Sequence, residues 1–130
     1  MVHAEPVGYS PGPLHALSYV SIPTVPFDDR DLTDLLFAAR RVNVHYGVTG
    51  KLLVLEDEVS GYVVRFLQWI EGSEEAVKVV YGRIEADPRH RVTEVLHHGP
   101  IERRRFGEWD MAFGRTSDER AYEEAVAEAA

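Results

Sequence analysis

The chain alternates along residues 62–70 and then meets a glycine. Tyr62, Val64, Phe66, Gln68 and Ile70 share one face of a pleated strand, and Val63, Arg65, Leu67 and Trp69 share the other. Aromatic and β-branched residues dominate the run, and Gly72 marks its end. Gln68 therefore sits among large apolar neighbours. A buried primary amide must find partners for two N–H donors and one carbonyl acceptor. Something polar has to lie over this strand, supplied by the chain or by a ligand. A lone strand glutamine is more often satisfied locally, so Gln68 becomes informative only if other inward-facing polar residues converge on it.

The chain's 130 residues suit one domain with one core. A net charge of −8 argues against a nucleic-acid partner. Arg103, Arg104 and Arg105 form the one basic run, expected as a solvated or salt-bridging loop. No apolar run is long enough to span a membrane, and there is no cysteine, which fits a cytoplasmic protein. Residues 1–13, with three prolines and neither a cationic start nor an apolar core, are expected to be a disordered leader rather than a signal peptide.

Residues 15–21 read as the first strand, with His15, Leu17, Tyr19 and Ser21 on one face. Pro23 and Pro26 stop it. Asp28 or Asp29 caps a helix whose stripe is Leu32, Leu35, Leu36, Ala39, Asn43 and Tyr46, with Gly47 as its end. Asn43 is the anomaly on that stripe. It serves as a cap, a partner for loop backbone, or a ligand contact. A second strand over 48–55, interrupted by Gly50, leads through an acidic hairpin loop at 56–61 to the Gln68 strand. Ser73 caps a second helix with the stripe Val77, Val80, Tyr81 and Ile84, ended by Asp87 and Pro88. A fourth strand is expected over 92–98, a turn at Gly99 and Pro100, and a fifth strand over 109–113 with Trp109, Met111 and Phe113 on one face. Ser117 caps a terminal helix, whose thin stripe of Tyr122, Ala125, Val126 and Ala129 must dock on the sheet or on another subunit.

This order is α+β: a ferredoxin-like βαββαβ sandwich with an added fifth strand and a C-terminal helix. In that topology the first and third strands are central neighbours. Tyr19, Gln68 and Asn43 then face one space beneath the two helices.

With the residues so arranged, the chain resembles the BLUF family of flavin-binding blue-light sensors. The resemblance rests on residues 17–21, Asn43 with 47–50, 66–72, 83–90, 99–101 and 104–111, in that order and at those spacings. It implies a flavin-binding domain over 14–114, followed by the C-terminal helix at 115–130. It implies non-covalent FAD between the two helices, held by Tyr19, Asn43, Phe66 and Gln68, with Arg89 and His90 toward its ribityl-phosphate part. Tyr19 matches the photoactive tyrosine and Gln68 the glutamine that links it to the flavin. Trp109 and Met111 match the pair that relays the signal. By resemblance, light drives electron and proton transfer from Tyr19 to the flavin, Gln68 rearranges, and a downstream protein receives the signal. The chain is expected to be a homo-oligomer, with no membrane partner and no catalytic turnover, and no output enzyme is expected beyond the terminal helix. Two departures stand out. Val42 precedes Asn43 where the family often carries a second asparagine, and the hairpin at 56–61 is long.

Two other readings remain open on the residues. A small hydrolase of acyl-phosphatase type would use Asn43 and an arginine, but the chain has no phosphate loop. A flavin-less interaction module of the same fold is the other. Metal binding at His97 and His98 is not expected, because adjacent strand residues point to opposite faces. Glu71, at the end of its strand, is expected to bond backbone amides rather than act as an acid.

Overall fold

The structure is a computed structural model that describes residues 12–130. Eight elements follow the expected order: β1 (Leu14–Pro23), α1 (Asp29–Tyr46), β2 (Thr49–Glu56), β3 (Val63–Ser73), α2 (Glu74–Ala86), β4 (His90–Ile101), β5 (Ala112–Thr116) and α3 (Glu119–Ala129). The leader expected over 1–13 falls, but for its last two positions, outside the described residues. The sheet order is β4-β1-β3-β2-β5, with β5 parallel to β2 and the other neighbours antiparallel. β1 and β3 are central neighbours, with Tyr19 opposite Gln68.

Local chemistry sets the boundaries. Asp28 accepts from Asp31 N while the Asp31 carboxylate accepts from Asp28 N, a reciprocal box that starts α1. Gly47 ends the helix at φ 68°, a left-handed position that favours glycine. Ser73 Oγ accepts from Ala76 N to open α2.

Three sequence expectations are corrected. Gly99 and Pro100 do not turn the chain: they lie in β4, opposite Ala16 and His15. Proline is tolerated there because β4 is an edge strand. The fifth strand starts later than expected, so Trp109 and Met111 precede it. Their segment bonds elsewhere: Trp109 O accepts from Gly50 N, Asp110 O from Asn43 and Met111 O from Arg40. The cap of α3 is Asp118, not Ser117, with its carboxylate accepting from Arg120 N and Ala121 N.

The sheet is covered on both faces. Under α1 and α2 lie Leu17, Tyr19, Leu52, Phe66 and Ile70 with Val77 and Met111. Under α3 lie Ala16, Leu55, Leu67 and Trp69 with Tyr122 and Ala129. The thin stripe of α3 thus docks on its own sheet. Polar contacts fix it: Tyr122 Oη donates to Phe66 O (2.9 Å) and Ser18 Oγ to Ala129 O (2.6 Å). Among the described residues, no helix is long and apolar enough to cross a membrane.

His15 supplies a stability prediction. Its ring lies edge-on to His98 at 4.8 Å. Burial first, then His98, holds its imidazole below the ordinary 6.5, with Glu74 opposing. The unfolded chain then binds more protons, so stability is fully present above 6.5 and declines as pH falls below it. Thermal melts should show this decline, and His15→Leu should make it shallower.

Candidate functional site

A cleft of about 170 Å³ opens between α1 and α2 above the sheet. Leu35, Ala39 and Val42 form one wall and Val80 and Ile84 the other. Tyr19, Leu52, Phe66 and Gln68 form the floor, and Arg83, Asp87, Arg89 and His90 the rim. The wall residues follow from the helical stripes, and the floor from alternation in β1, β2 and β3.

The floor carries a directed hydrogen-bond chain. Tyr19 Oη donates to Gln68 Oε1, and Gln68 Nε2 donates to Met111 Sδ at 3.6 Å. Tyr19 is 3% exposed and Gln68 6%. Burial raises the Tyr19 phenol well above its ordinary value, with Tyr81 and Asp87 adding to the effect. The hydroxyl is therefore protonated at rest. The amide is held oxygen to phenol and nitrogen to a soft sulfur, a weak acceptor.

Asn43, 1% exposed, lines the cleft and also donates to Asp110 O at 2.6 Å. It thus serves loop backbone while facing the cleft. Phe66 packs edge-on against Phe27 at 5.3 Å. His90 is held from both sides, by Ser21 Oγ (2.8 Å) and Ile84 O (2.6 Å). A carbonyl only accepts, so Nε2 carries a proton. Arg89 is bonded to Asp87, and this bond holds the Asp87 carboxyl below the usual carboxylate range.

The two relay candidates part company. Trp109 is 58% exposed, whereas Met111 is 1% exposed and packed on Gln68. Sequence reasoning missed Arg40, whose guanidinium donates to Met111 O at 3.1 and 3.2 Å. Its position three residues before Asn43, on the same side of α1, was the available signal. The basic run is also not simply solvated: Arg104 donates to Gly47 O and Thr49 Oγ1, both at 2.9 Å.

These residues fit a flat heteroaromatic group with a charged tail. The walls are apolar, the inner end offers amides and a phenol, and the rim offers guanidinium groups. The fold and the cleft define a small α+β module, a five-stranded sheet with an apolar-walled slot under two helices. Residues 14–112 match the family described as sensors of blue-light using FAD, and the chain belongs to that family, BLUF.

Relatives agree. The chain is 35% identical over 99 residues to photoactivated adenylate cyclase subunit beta of Euglena gracilis, and 36% over 100 residues to subunit alpha. Each alignment covers 75% of this chain but only 11% and 9% of those proteins, so the chain spans about a tenth of their length. The matched part is the sensor domain. The dark-state structure of the BLUF protein BlrB superposes with a TM-score of 0.72 at 30% identity, covering 89% of this chain and 83% of that one. The BLUF domain of BlrP1 gives 0.69 at 30% identity, covering 91% and 77%. Klebsiella pneumoniae BlrP1 with FMN and cyclic diGMP gives 0.65 at 28% identity, covering 88% and 30%.

Proposed function

We propose that this chain senses blue light through non-covalent FAD in the α1–α2 cleft, and that Tyr19 and Gln68 convert the photon into a changed hydrogen-bond pattern. The observation that carries the reading is the Tyr19–Gln68–Met111 chain on the cleft floor. When bound, the flavin supplies an oxidant switched on by light. Among the described residues Tyr19 is the one phenol lining the cleft, and it can give up an electron. Its proton, unacidic at rest, becomes acidic on oxidation and is already directed at an acceptor, Gln68 Oε1. Gln68 answers by turning over or by tautomerising, which exchanges its donor and acceptor ends. Either change alters the contact with Met111. Asn43 and Phe66 position the ring, and Arg89 and His90 meet the polar tail.

Met111 then passes the change to β5 and α3, and through them to a downstream protein. Trp109, exposed beside it, presents a surface that this change would move. A homo-oligomer is part of this reading, as is sensing without turnover. The hydrolase alternative loses support from its asparagine, since Asn43 is engaged with the carbonyl of Asp110.

Visible absorption tests the reading. The purified protein should be yellow, and blue light should shift its absorption reversibly to longer wavelength. Gln68→Leu should keep the colour and lose the shift. A colourless protein that takes up no added FAD, or a normal photocycle in that variant, would refute the corresponding part of the reading.

A further inference from the structure

Under the connection between β4 and β5 lies a carboxylate wholly removed from solvent. Glu71 is 0% exposed. It follows Gln68 by three residues in β3 and so belongs to the opposite face, beside Trp69. Oε1 accepts from Trp69 Nε1 and Arg105 N, both at 2.8 Å. Oε2 accepts from Thr49 Oγ1 at 2.7 Å and Phe106 N at 2.8 Å. Four donors meet four acceptor sites. Only the ionised carboxylate satisfies all of them, because an acid or an amide would point a hydrogen at a donor. Cations stand close: Arg104 donates to Thr49 Oγ1, and the Arg105 guanidinium lies 4.0 Å over the Trp69 ring.

The far end of the same connection is held on the cleft side. Gln68 contacts Met111 Sδ, Arg40 holds Met111 O and Asn43 holds Asp110 O. One segment is therefore tied to both faces of β3, and Arg105 also donates to Glu128 O in the last turn of α3. We infer that Glu71 is a positioning residue for the light response: its carboxylate fixes residues 105 and 106, and so sets how far Met111 can follow Gln68 and how long the lit arrangement lasts. This rests on Gln68 being the light-responsive group. With the tie in place, a displaced Met111 is drawn back to one seat. With it cut, the connection relaxes around the displaced sulfur and the lit form is stabilised relative to the barrier for return.

Glu71→Gln is therefore expected to slow dark recovery about tenfold, the size of one lost charge-assisted buried hydrogen bond, with the red shift itself unchanged. Thr49→Val removes one donor, keeps the charge and should slow recovery about threefold. It also decides the matter should Glu71→Gln fail to fold. Backbone hydrogen exchange on the protein as purified, kept in the dark, gives a second readout. Residues 105 and 106 should lose protection in both variants while the β1–β3 ladder keeps its own; a merely structural role would loosen both together. Recovery unchanged in Thr49→Val, or protection lost throughout the sheet, overturns the inference. No red shift in the unaltered protein counts against the flavin-site reading, and the exchange pattern then judges the tie alone.

Discussion

Tyr19→Phe is expected to give a yellow protein that no longer answers blue light. The substitution removes one oxygen atom and leaves the ring where Tyr81 and His90 pack around it, at 5.9 and 6.0 Å between centroids. The cleft walls come from α1 and α2 and are untouched, so flavin content should match that of the unaltered protein. What disappears is the donor to Gln68 Oε1. Phenylalanine has no hydroxyl proton to pass to the amide and is much harder to oxidise, so both halves of the switch go at once. The orphaned amide oxygen costs about 1–3 kcal/mol of stability, which a single domain tolerates unless it is already marginal. Absorption spectra before and after illumination check this, alongside the flavin-to-protein ratio. A shift of unreduced size would remove Tyr19 as the donor. A small residual one would direct attention to Tyr81, the phenol whose ring neighbours it.

The parts of this molecule legible in its sequence are those governed by local periodicity. Alternation placed Tyr19 and Gln68 on one face, helical spacing turned Asn43 inward, and topology joined them. Gly47 and Ser73 were legible because their caps are short-range chemistry. Residues 102–111 were not. Alternation alone puts Trp109, Met111 and Phe113 on one strand face. The carbonyls of residues 109–111 instead bond to Gly50, Asn43 and Arg40, all some 60 or more residues away in the chain. No local pattern announces such partners. The same holds for Arg104, whose partners at Gly47 and Thr49 are as distant in sequence. Proline at position 100 misled for a related reason: whether it breaks a strand depends on whether that strand has a neighbour on its open side.

Gly50, expected to interrupt β2, instead lies within an unbroken strand, and the reason a glycine stands there yields the largest stability effect expected here. It pairs with Ile70 across the β2–β3 ladder. A Cβ built on it would land on the Trp69 carbonyl oxygen, and would lie 3.1 Å from Trp69 C and 3.2 Å from Ile70 Cα. These are backbone atoms of the central strand that carries Gln68, so no side chain can swing aside. Gly50→Ala must part β2 from β3 near the site or tilt the peptide between Trp69 and Ile70. A cost of about 3 kcal/mol or more is expected, in the range of severe overpacking. Gly82→Ala is the control. Gly82 lies within α2 with nothing within 4 Å of its Cβ position, so alanine there should add about 0.5–1 kcal/mol through helix propensity and lower unfolded-state entropy. The same change at two glycines should thus move the urea midpoint in opposite directions. If Gly50→Ala melts with the unaltered protein, the backbones of β2 and β3 do not approach as described, and the floor of the cleft, where Leu52 faces Gln68 two pairs further along, loses its stated geometry.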